Sequence, residues 1–325
     1  MIYDFIYFLK DINYASLKQA NLFTSLLKRN GYSSIIVKYE NIIKNKYTTN
    51  YLITDCLEIN NINEKKITYK KLIFRKRGLS AEEMKIRHPL LGHLYYPYMW
   101  RKEKNDLSFF DYICFVSKEM LEYYKVFYKI PEEKCFFIPN VSGEIDMENF
   151  FQKRNISSIC YSGGLSKWQK IPEITSLFKV LNRNKISTFA YIPKKYFLSA
   201  KKLFDMNTEV FSLKESELKK ALGEINAGII LRDSHIINKV ASPFKIWDYL
   251  DAGLKVILTE HVGFWSEFSK KIPSVFLKLN FEKFSSENMI SKIKEFLEMK
   301  VLETDIRSFN TQITHLIKKS LDQIQ

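Results

Sequence analysis

The stretch AGIILRDSHIINKVASPFKIWDYLDAGLKVILTEHVG, residues 227–263, decides the expected fold. Its two apolar runs, residues 227–231 and 256–258, are continuous rather than alternating, which is typical of parallel strands buried on both faces. A polar loop and one helical pattern lie between the two runs. The stretch therefore predicts a β-α-β unit of a parallel sheet.

Three residues mark the boundaries of the predicted helix. Ser242 is a good N-cap, Pro243 fits the first helical position, and Gly253 lies where a left-handed C-terminal cap is usual. A crossover of this kind places the N-terminus of the helix at the carboxyl edge of the sheet. Because N–H groups are unpaired there and the helix dipole is positive, that end favours an anion such as a diphosphate.

Charged residues accompany this helix start. Lys245 and Asp248 are three positions apart and share a face, so the helix offers a cation near its N-terminus and a carboxylate suited to ribose hydroxyls. The alternative is an ordinary core helix with a solvated Lys and Asp. Arg232 follows the first strand and is suited to bind a diphosphate bidentately, or else pairs with Asp233.

Length and composition limit the class of protein. The chain has 325 residues, of which 46% are hydrophobic, enough for two domains with their own cores. The cysteines show no CxxC pairing, and three of them lie in apolar runs, which indicates buried free thiols in a reducing compartment. These cysteines are Cys56, Cys114, Cys135 and Cys160, of which the last three lie in the apolar runs. Since no stretch has the length of a membrane span and the start lacks a basic signal-peptide region, we expect a cytosolic protein.

The chain carries a large excess of positive charge. The formal net charge is +15, which suggests an anionic partner. Nucleic acid, an anionic membrane surface and a phosphorylated substrate are three alternatives, and the base composition of the genome is a fourth cause of a Lys-rich chain. No homeodomain, zinc-finger, RRM or KH pattern accompanies the basic residues, so we expect no nucleic-acid partner.

The N-terminal half predicts a first β-α alternation. Strands are expected at residues 2–9, 34–37, 71–74, 111–116 and 135–138. Helices are expected over residues 16–29 with Ser16 as cap, over 81–104 with interruptions near Pro89 and Pro97, and from a Ser117 cap to residue 128. Residues 39–68 give no clear assignment.

A second alternation follows the polar segment 141–155, which predicts a linker. Its strands are expected at residues 157–161, 188–192 and 209–211, besides the two of the opening stretch. Residues 287–325 have a helical pattern. We therefore expect an α/β protein with domains at 1–145 and 146–310, and a C-terminal helix at 311–325 that returns toward the first domain.

Further motifs are less specific. Gly163 and Gly164 follow a predicted strand and precede a helix, which suits either a phosphate contact or a plain tight turn. Lys167 next to them is a candidate for phosphate binding or is simply solvated. The histidines lack metal-ligand spacing, there is no GxSxG elbow, and Glu82 and Glu83 are adjacent, so their side chains cannot serve one site from a helix.

Five segments in this order resemble two-domain GT-B glycosyltransferases, in particular the family 4-like enzymes of bacterial capsule and lipopolysaccharide assembly. They are Arg77-Gly78 with Glu82-Glu83, FVSKEMLEYY followed by FFIPN, YSGGLSKWQ, the weaker EVFSLKESELKKAL, and LRDSHIINKVASPFKIWDYLDAGLKVI. The resemblance covers most of the chain. It implies two doubly wound Rossmann-like domains that face an interdomain cleft, with a hexosyltransferase-type activity.

The resemblance also implies roles for individual residues. The second domain is expected to bind a nucleotide-activated sugar, and the first domain an acceptor. The expected donor residues are Gly163, Gly164, Ser242 and Phe244 at the diphosphate, Lys245, Arg232 and Lys167 as catalytic cations, Asp248 at the ribose, and Phe211 and Leu213 at the base. The expected acceptor-side residues are Arg77, Gly78, Glu82 and Glu83.

The same resemblance predicts the reaction. We expect transfer without a metal or another cofactor, with retention, because cations and amides stabilise the departing diphosphate. An inverting enzyme would need a base, for which Glu82, Glu83 or His88 are candidates. Val240 occupies the position of a family glutamate eight residues before Asp248, which leaves the contacts to the donor sugar open.

The acceptor is expected to be a saccharide, free or linked to polyprenyl diphosphate at the inner face of the cell membrane. Basic and aromatic residues 95–102 suit peripheral binding to an anionic membrane surface there, although a buried helix is the alternative. Two other functions remain open from the sequence. They are a nucleotide-sugar epimerase of the same architecture and a nonenzymatic basic protein that binds nucleic acid or membrane.

Overall fold

A computed structural model of the chain describes residues 2–10, 14–42, 45–55, 66–152, 157–280 and 286–324. The chain forms two compact units. The N-terminal unit comprises Met1–Gly143, Val240–Ser242 and Ile313–Gln325, and the C-terminal unit comprises Glu144–Lys239 and Pro243–Gln312.

The N-terminal unit contains one parallel sheet. In the described part of this unit, its six strands are β1 (Ile2–Leu9), β2 (Ser34–Lys38), β3 (Tyr47–Thr54), β4 (Ile67–Lys76), β5 (Tyr112–Phe115) and β6 (Cys135–Phe137), in the order β2-β1-β3-β4-β5-β6. Its helices include α1 (Tyr14–Arg29), α2 (Tyr39–Ile42), α3 (Ser80–Arg87), α4 (Pro89–Ser108) and α5 (Lys118–Tyr123). The last five residues of β1 are buried, as the continuous apolar run predicts.

Several local predictions for this unit are confirmed. Ser117 caps α5, since its Oγ accepts a hydrogen bond of 3.0 Å from the Met120 N–H. The break between α3 and α4 falls at His88, directly before Pro89. Proline at the first position of α4 explains the break, because it starts a helix readily but cannot continue one.

Other local predictions are wrong. Helix α1 begins at Tyr14, so Ser16 lies inside its first turn rather than at the cap. Helix α4 continues through Pro97, where an interruption was expected. A proline inside a helix costs about 3 kcal/mol, and contacts of its neighbours in α4 offset that cost. Tyr96 donates a hydrogen bond to Glu82, and Trp100 packs on Tyr128.

Strand β3 lies in the region that the sequence left unassigned. Its residues YTTNYLIT alternate without a clear apolar face, yet the strand lies between β1 and β4 in the sheet. Thr49 shows how polar residues are accommodated there, because its Oγ1 bonds the carbonyl oxygens of Asp4 and Tyr51. Pairing with neighbours on both sides therefore forms a strand that local pattern does not predict.

The C-terminal unit contains a second parallel sheet. Its strands among the described residues are β7 (Ser158–Ser162), β8 (Ser187–Tyr191), β9 (Thr208–Phe211), β10 (Ala227–Ile230), β11 (Lys255–Thr259) and β12 (Phe276–Leu279), in the order β12-β11-β10-β7-β8-β9. The helices from α6 onward are α6 (Glu148–Phe151), α7 (Ile171–Arg183), α8 (Phe197–Leu203), α9 (Glu215–Gly223), α10 (Ile236–Lys239), α11 (Phe244–Asp251), α12 (Phe268–Lys271), α13 (Ser286–Glu298) and α14 (Glu303–Asp322). The last of these, α14, belongs to the C-terminal unit up to Gln312 and to the N-terminal unit from Ile313. Strand β12 and helix α10 are additions to the predicted elements. The predicted α/β architecture with two parallel sheets is confirmed.

Helix α11 packs closely on β10. A Cβ atom on Gly228 would lie 2.3 Å from the Tyr249 ring, so only glycine allows this approach. The helix ends as predicted, because Gly253 has φ +76 and the Leu254 N–H donates to the Tyr249 carbonyl oxygen at 2.8 Å. These contacts fix α11 on the sheet.

Two further expectations concern cysteines and membrane spans. Cys114, Cys135 and Cys160 are buried and free, as predicted, while Cys56 lies outside the described residues. Of the helices described, none combines the length and apolar character that crossing a bilayer requires.

Candidate functional site

The candidate site lies where the direction of strand addition reverses in the C-terminal unit. Strand β7 has β8 on one side and β10 on the other, and β10 pairs with β7 through Ala227 and Gly228. In parallel α/β sheets, such a switch point leaves a crevice at the carboxyl ends of the strands. Gly163 follows β7 there, and Arg232 follows β10.

Lys245 in the first turn of α11 is buried, with 8% of its surface exposed. Its Nζ donates a hydrogen bond of 2.8 Å to Oε1 of Gln169 and lies 4.3 Å from the centre of the Tyr161 ring. Burial, followed by repulsion from Arg232, holds the pKa of Lys245 well below 10.5. The solvated lysine of the alternative interpretation is therefore wrong.

Arg232 is the second buried cation, with 6% exposure. Its Nη1 donates to the Trp168 carbonyl oxygen at 2.6 Å, and its buried Nε has no hydrogen-bond partner. Burial lowers the pKa of Arg232 to about 10. Asp233 contacts Lys170 at 3.7 Å instead of pairing with Arg232 as the alternative interpretation expected.

Lys245 and Arg232 are both buried without an ion-pair partner in the described part of the chain. Among the described residues, neither Lys245 nor Arg232 forms an ion pair within 4.0 Å of a carboxylate, and Asp248 and Asp233 act on them only from a longer distance. Burying a charge without a counter-ion costs several kcal/mol in real proteins. An anion bound between β7 and β10 would offset that cost.

Gly163 provides the room for Lys245. A Cβ atom at this position would lie 2.7 Å from Nζ of Lys245, and the backbone has φ +139, which side-chain-bearing residues rarely adopt. The Gly163 N–H donates to the Tyr191 carbonyl oxygen, so it is engaged in the protein. Gly164 lies beside Tyr196, and its carbonyl oxygen accepts a hydrogen bond from the Tyr161 hydroxyl.

Ser242 has a different local role from the predicted cap. Helix α11 begins at Phe244, with Pro243 at the N-cap position and no side-chain cap bond. The Ser242 Oγ accepts from the Asn140 N–H at 3.2 Å, and its carbonyl oxygen accepts from the Asn140 side chain at 2.6 Å. Ser242 is therefore held by hydrogen bonds from Asn140, which belongs to the same N-terminal unit. Phe244 itself is half-buried.

The remaining donor-side candidates lie in three places of the C-terminal unit. Asp248 is half-buried on α11, and Lys167 is exposed in the short turn Lys167–Gln169. Phe211 ends β9 and stacks on Tyr191 at 5.9 Å between ring centroids, while Leu213 is exposed just beyond it. Phe211 and Leu213 thus lie at and just after the carboxyl end of β9, and Lys167 lies in the segment that follows β7.

Two residues of this site were missed at the sequence level. Gln169 and Tyr161 make the direct contacts to the Lys245 ammonium. They are separated from Lys245 by at least seventy residues, so no local pattern links them. The only local signal was their place beside the Gly163-Gly164 turn.

A cavity of about 230 Å³ has Arg232 in its wall. It lies at the carboxyl ends of β10, β11 and β12, and Lys170 and Ser234 line it together with Thr259. Among the residues with described positions, no three His, Cys, Asp or Glu side chains are grouped to hold a metal ion.

The acceptor-side candidates lie in the N-terminal unit with protein partners of their own. Arg77 pairs with Asp55 at 2.9 Å, and Glu83 pairs with Arg87 at 2.9 Å. A Cβ on Gly78 would meet the Glu83 carboxylate, which keeps this position small.

Glu82 is held by three donors. It accepts hydrogen bonds from the hydroxyls of Tyr96 and Tyr123 and pairs with Lys85 at 3.0 Å. Burial raises the pKa of Glu82, but these donors outweigh burial and leave the pKa below 4.5. The carboxylate is thus ionised and engaged, which makes it a weak base. His88, the other base candidate, is exposed.

Residues 95–102 on α4 do not form a fully buried helix face, because some of their side chains are exposed. Tyr96 and Trp100 pack inward against Glu82 and Tyr128, whereas Tyr95 and Tyr98 are exposed. The exposed side of α4 continues through large apolar side chains, namely Leu90, Leu91 and Leu94.

A buried ion pair in the N-terminal unit also escaped prediction. Lys76 and Glu103 contact each other with 4% of each side chain exposed. The hydroxyls of Tyr124 and Tyr128 donate to the same carboxylate at 3.0 and 2.8 Å. The pair joins β4 to α4 and gives that helix a polar attachment in the core.

The chain is similar to known proteins in its structure. No protein-family model matches the chain, and no curated protein matches it. Solved structures do match over nearly the whole length. HepE from Anabaena, in complex with UDP and glucose, is 9% identical with a TM-score of 0.62, covering 99% of this chain and 99% of that one.

Two other matches are a glycosyltransferase from Rickettsia africae and the sucrose-phosphate synthase of Thermosynechococcus elongatus. The first is 10% identical with a TM-score of 0.57, covering 98% of this chain and 94% of that one. The second is 8% identical with a TM-score of 0.59, covering 97% and 94%. Identities this low establish the fold alone, and the fold of this chain is that of GT-B glycosyltransferases.

Proposed function

We propose that the protein is a glycosyltransferase that moves a sugar from a nucleotide-activated donor to a saccharide acceptor. The observation that supports it is the pair of buried cations, Lys245 and Arg232, at the switch point of the C-terminal sheet without a carboxylate partner in the described structure. A diphosphate supplies the missing counter-charge. The fold is shared with HepE, whose structure contains UDP and glucose, and this is consistent with the proposed donor class.

The donor is proposed to lie along the carboxyl edge of the C-terminal sheet. Its base lies near Phe211 and Leu213, its ribose near Asp248, and its diphosphate near Lys245 and Arg232. Gly164, Ser242, Phe244 and Lys167 complete the proposed diphosphate surroundings. Gly163 contributes by leaving space for the Lys245 ammonium.

Catalysis is proposed to rest on stabilisation of the leaving group. As the bond between the sugar C1 and the phosphate oxygen breaks, its electron pair stays on the nucleoside diphosphate, and Lys245 and Arg232 neutralise the developing charge. The acceptor hydroxyl forms the new bond to C1, and its proton passes to the departing phosphate. This scheme needs neither a metal nor a protein base and gives retention.

The acceptor is proposed to bind the N-terminal unit, near Arg77, Gly78, Glu82 and Glu83. A lipid-linked saccharide, as in cell-surface polysaccharide assembly, suits the exposed side of α4. Leu90 is 86% exposed and Leu94 is 76% exposed there, with Arg101 and Lys102 further along the helix. An apolar strip next to basic residues fits the cytosolic surface of an anionic membrane.

A nucleotide panel with product analysis tests the reaction. Thermal unfolding is followed with UDP-, GDP-, dTDP- and CMP-sugars, and the stabilising donor is then incubated with and without saccharide acceptors. A ligand at a hundredfold excess over its Kd should stabilise the protein by about 2.7 kcal/mol. Sugar transfer that requires an acceptor supports the proposal, and donor conversion without an acceptor indicates an epimerase instead.

Two further outcomes would contradict parts of this function. Absence of stabilisation by every nucleotide, together with steeply salt-dependent binding to DNA or RNA, would replace it with nucleic-acid binding. Flotation with liposomes containing anionic lipids tests the membrane part separately. Leu94→Glu should release the protein from such liposomes, and a wild-type protein that never floats removes the membrane from the proposal.

A further inference from the structure

The cavity beside Arg232 differs in charge from the surroundings of Lys245. Six ionisable side chains line it, namely Lys170, Glu173, Arg232, Asp233, Glu260 and His261. Three carboxylates thus face two permanent cations, so the cavity disfavours an added anion. A neutral or cationic ligand rich in hydroxyl groups suits it better, because carboxylates accept hydrogen bonds from hydroxyls.

Its place along the sheet relates the cavity to the proposed diphosphate. The strand order from β9 through β8, β7 and β10 to β11 arranges the base candidates, the cation pair and the cavity in sequence along one edge. Since neighbouring strands are about 4.8 Å apart, the cavity lies roughly one to two strand spacings beyond the switch point. The cavity is therefore a neighbour of the proposed diphosphate position along the same edge.

Arg232 borders both places. It lines the cavity, and its charge lowers the pKa of Lys245. The Arg232 Nη1 donates a hydrogen bond to the Trp168 carbonyl oxygen. The buried Nε of Arg232 has no hydrogen-bond partner among the described residues. One guanidinium thus borders the cavity and also acts on Lys245.

The wall of the cavity is fixed by a strained residue. Lys170 has the left-handed conformation, with φ 55 and ψ 45, which costs a residue with a side chain of order 1 kcal/mol. From there its Nζ reaches Glu173 at 2.9 Å and Asp233 at 3.7 Å. Such strain, kept by surrounding contacts, is typical of binding sites.

The size of the cavity limits the ligand. A volume of about 230 Å³ lies below the roughly 300–1,000 Å³ of pockets that hold drug-sized ligands, so the cavity suits a small group such as one monosaccharide. Glu260 lies at its wall with about half of its side chain exposed and 3.5 Å from His261. Its carboxylate is therefore open to a ligand.

Resting on the proposed function, we infer that this cavity receives the transferred sugar and selects a neutral or amino sugar over a uronic acid. Glu260 is the specificity-determining residue. Its carboxylate accepts hydrogen bonds from sugar hydroxyls and repels the carboxylate of a uronic acid.

The test compares three ligands on three proteins. Calorimetry gives the affinities of UDP, UDP-glucose and UDP-glucuronic acid for the wild type, for Glu260→Gln, and for Glu295→Gln. Glu295 is an exposed glutamate of α13 in the same unit and does not line the cavity, so it is a matched control. If the protein prefers guanosine, GDP, GDP-mannose and GDP-mannuronic acid replace the series.

The wild type and the control should prefer UDP-glucose over UDP-glucuronic acid about tenfold or more, which corresponds to about 1.4 kcal/mol. In Glu260→Gln the preference should fall below about threefold, with UDP affinity changed less than about twofold. Equal affinity of the wild type for both sugars, or an unchanged preference in Glu260→Gln, would overturn the inference while leaving the proposed function intact. Failure of the wild type to bind any nucleoside diphosphate would overturn both.

Discussion

The ammonium of Lys245 lies 2.7 Å from the position that a Cβ atom would take on Gly163. This relationship joins the start of α11 to the turn after β7. It leaves a buried cation between two strands, with Gln169 as its hydrogen-bond acceptor. The site therefore depends on one glycine as much as on its charged residues.

Substitution of this glycine should damage folding and binding together. Gly163→Ala adds a side chain at φ +139 and against the ammonium, so unfolding free energy should fall by about 1–3 kcal/mol and nucleotide stabilisation should be lost. Gly223→Ala is the control, because space is open around Gly223 at the end of α9. That variant should be about 0.5–1 kcal/mol more stable than the wild type, as measured by urea denaturation. Equal effects of the two variants would contradict this role of Gly163.

Removal of the Lys245 ammonium should lower the transfer rate without lowering the stability of the free protein. Lys245→Met keeps the apolar stem, so the free protein should be no less stable, because an uncompensated buried charge is removed. Turnover should fall about a hundredfold or more, since leaving-group stabilisation is lost. Denaturation and initial transfer rates measure the two effects, with the exposed Lys239→Met as control. A large loss of stability with unchanged transfer would remove Lys245 from the mechanism.

The pKa of Lys245 predicts proton uptake on ligand binding. Burial and Arg232 hold this pKa well below 10.5 in the free protein, and a bound anion should raise it again. At pH values between the two pKa values, binding should take up a proton, and affinity should fall as pH rises through the pKa of the free protein. Calorimetry at alkaline pH in two buffers of different ionisation enthalpy measures the uptake. Lys245→Met should lack it, and equal uptake by both proteins would contradict the prediction.

The lowered pKa of Lys245 should also make the stability of the free protein depend on pH. In the unfolded chain Lys245 titrates near 10.5, so between the folded pKa and 10.5 the unfolded state binds more protons. The contribution of this group to stability should therefore rise as pH rises through that window. Lys245→Met should show a flatter stability profile over the same range.

The buried ion pair of the N-terminal unit should be important for stability. Glu103→Gln leaves Lys76 charged in the core, and unfolding free energy should fall by about 3 kcal/mol or more. Asp106→Asn removes the partner of Lys102 in an exposed pair of the same helix and should cost only about 0.5 kcal/mol. Denaturant titrations of both variants give the comparison. Similar small losses would show that the buried contact contributes little.

The opening stretch allowed a correct prediction because its signals are local. Continuous apolar runs predict β10 and β11, and Gly253 ends α11 with the predicted left-handed cap. Strand β3 could not be predicted in the same way, since its Thr and Asn side chains form no apolar pattern. Its place between β1 and β4 comes from pairing with distant segments.

The candidate site was predictable only in part for the same reason. The sequence placed Lys245 and Arg232 at the correct edge of the C-terminal sheet, because strand ends and helix starts can be located from local pattern. It could not predict that both are buried, or that Gln169 and Tyr161 contact the ammonium. Those contacts join residues of different loops, which only the folded chain brings together.

A crystal structure of the protein with the nucleoside diphosphate that stabilises it most is the most direct test of the central claim. We predict a phosphate oxygen within about 3 Å of the Lys245 Nζ, in line with an N–H···O hydrogen bond. A diphosphate bound elsewhere, with the Lys245 ammonium still bonded to Gln169 and distant from the ligand, would contradict the account.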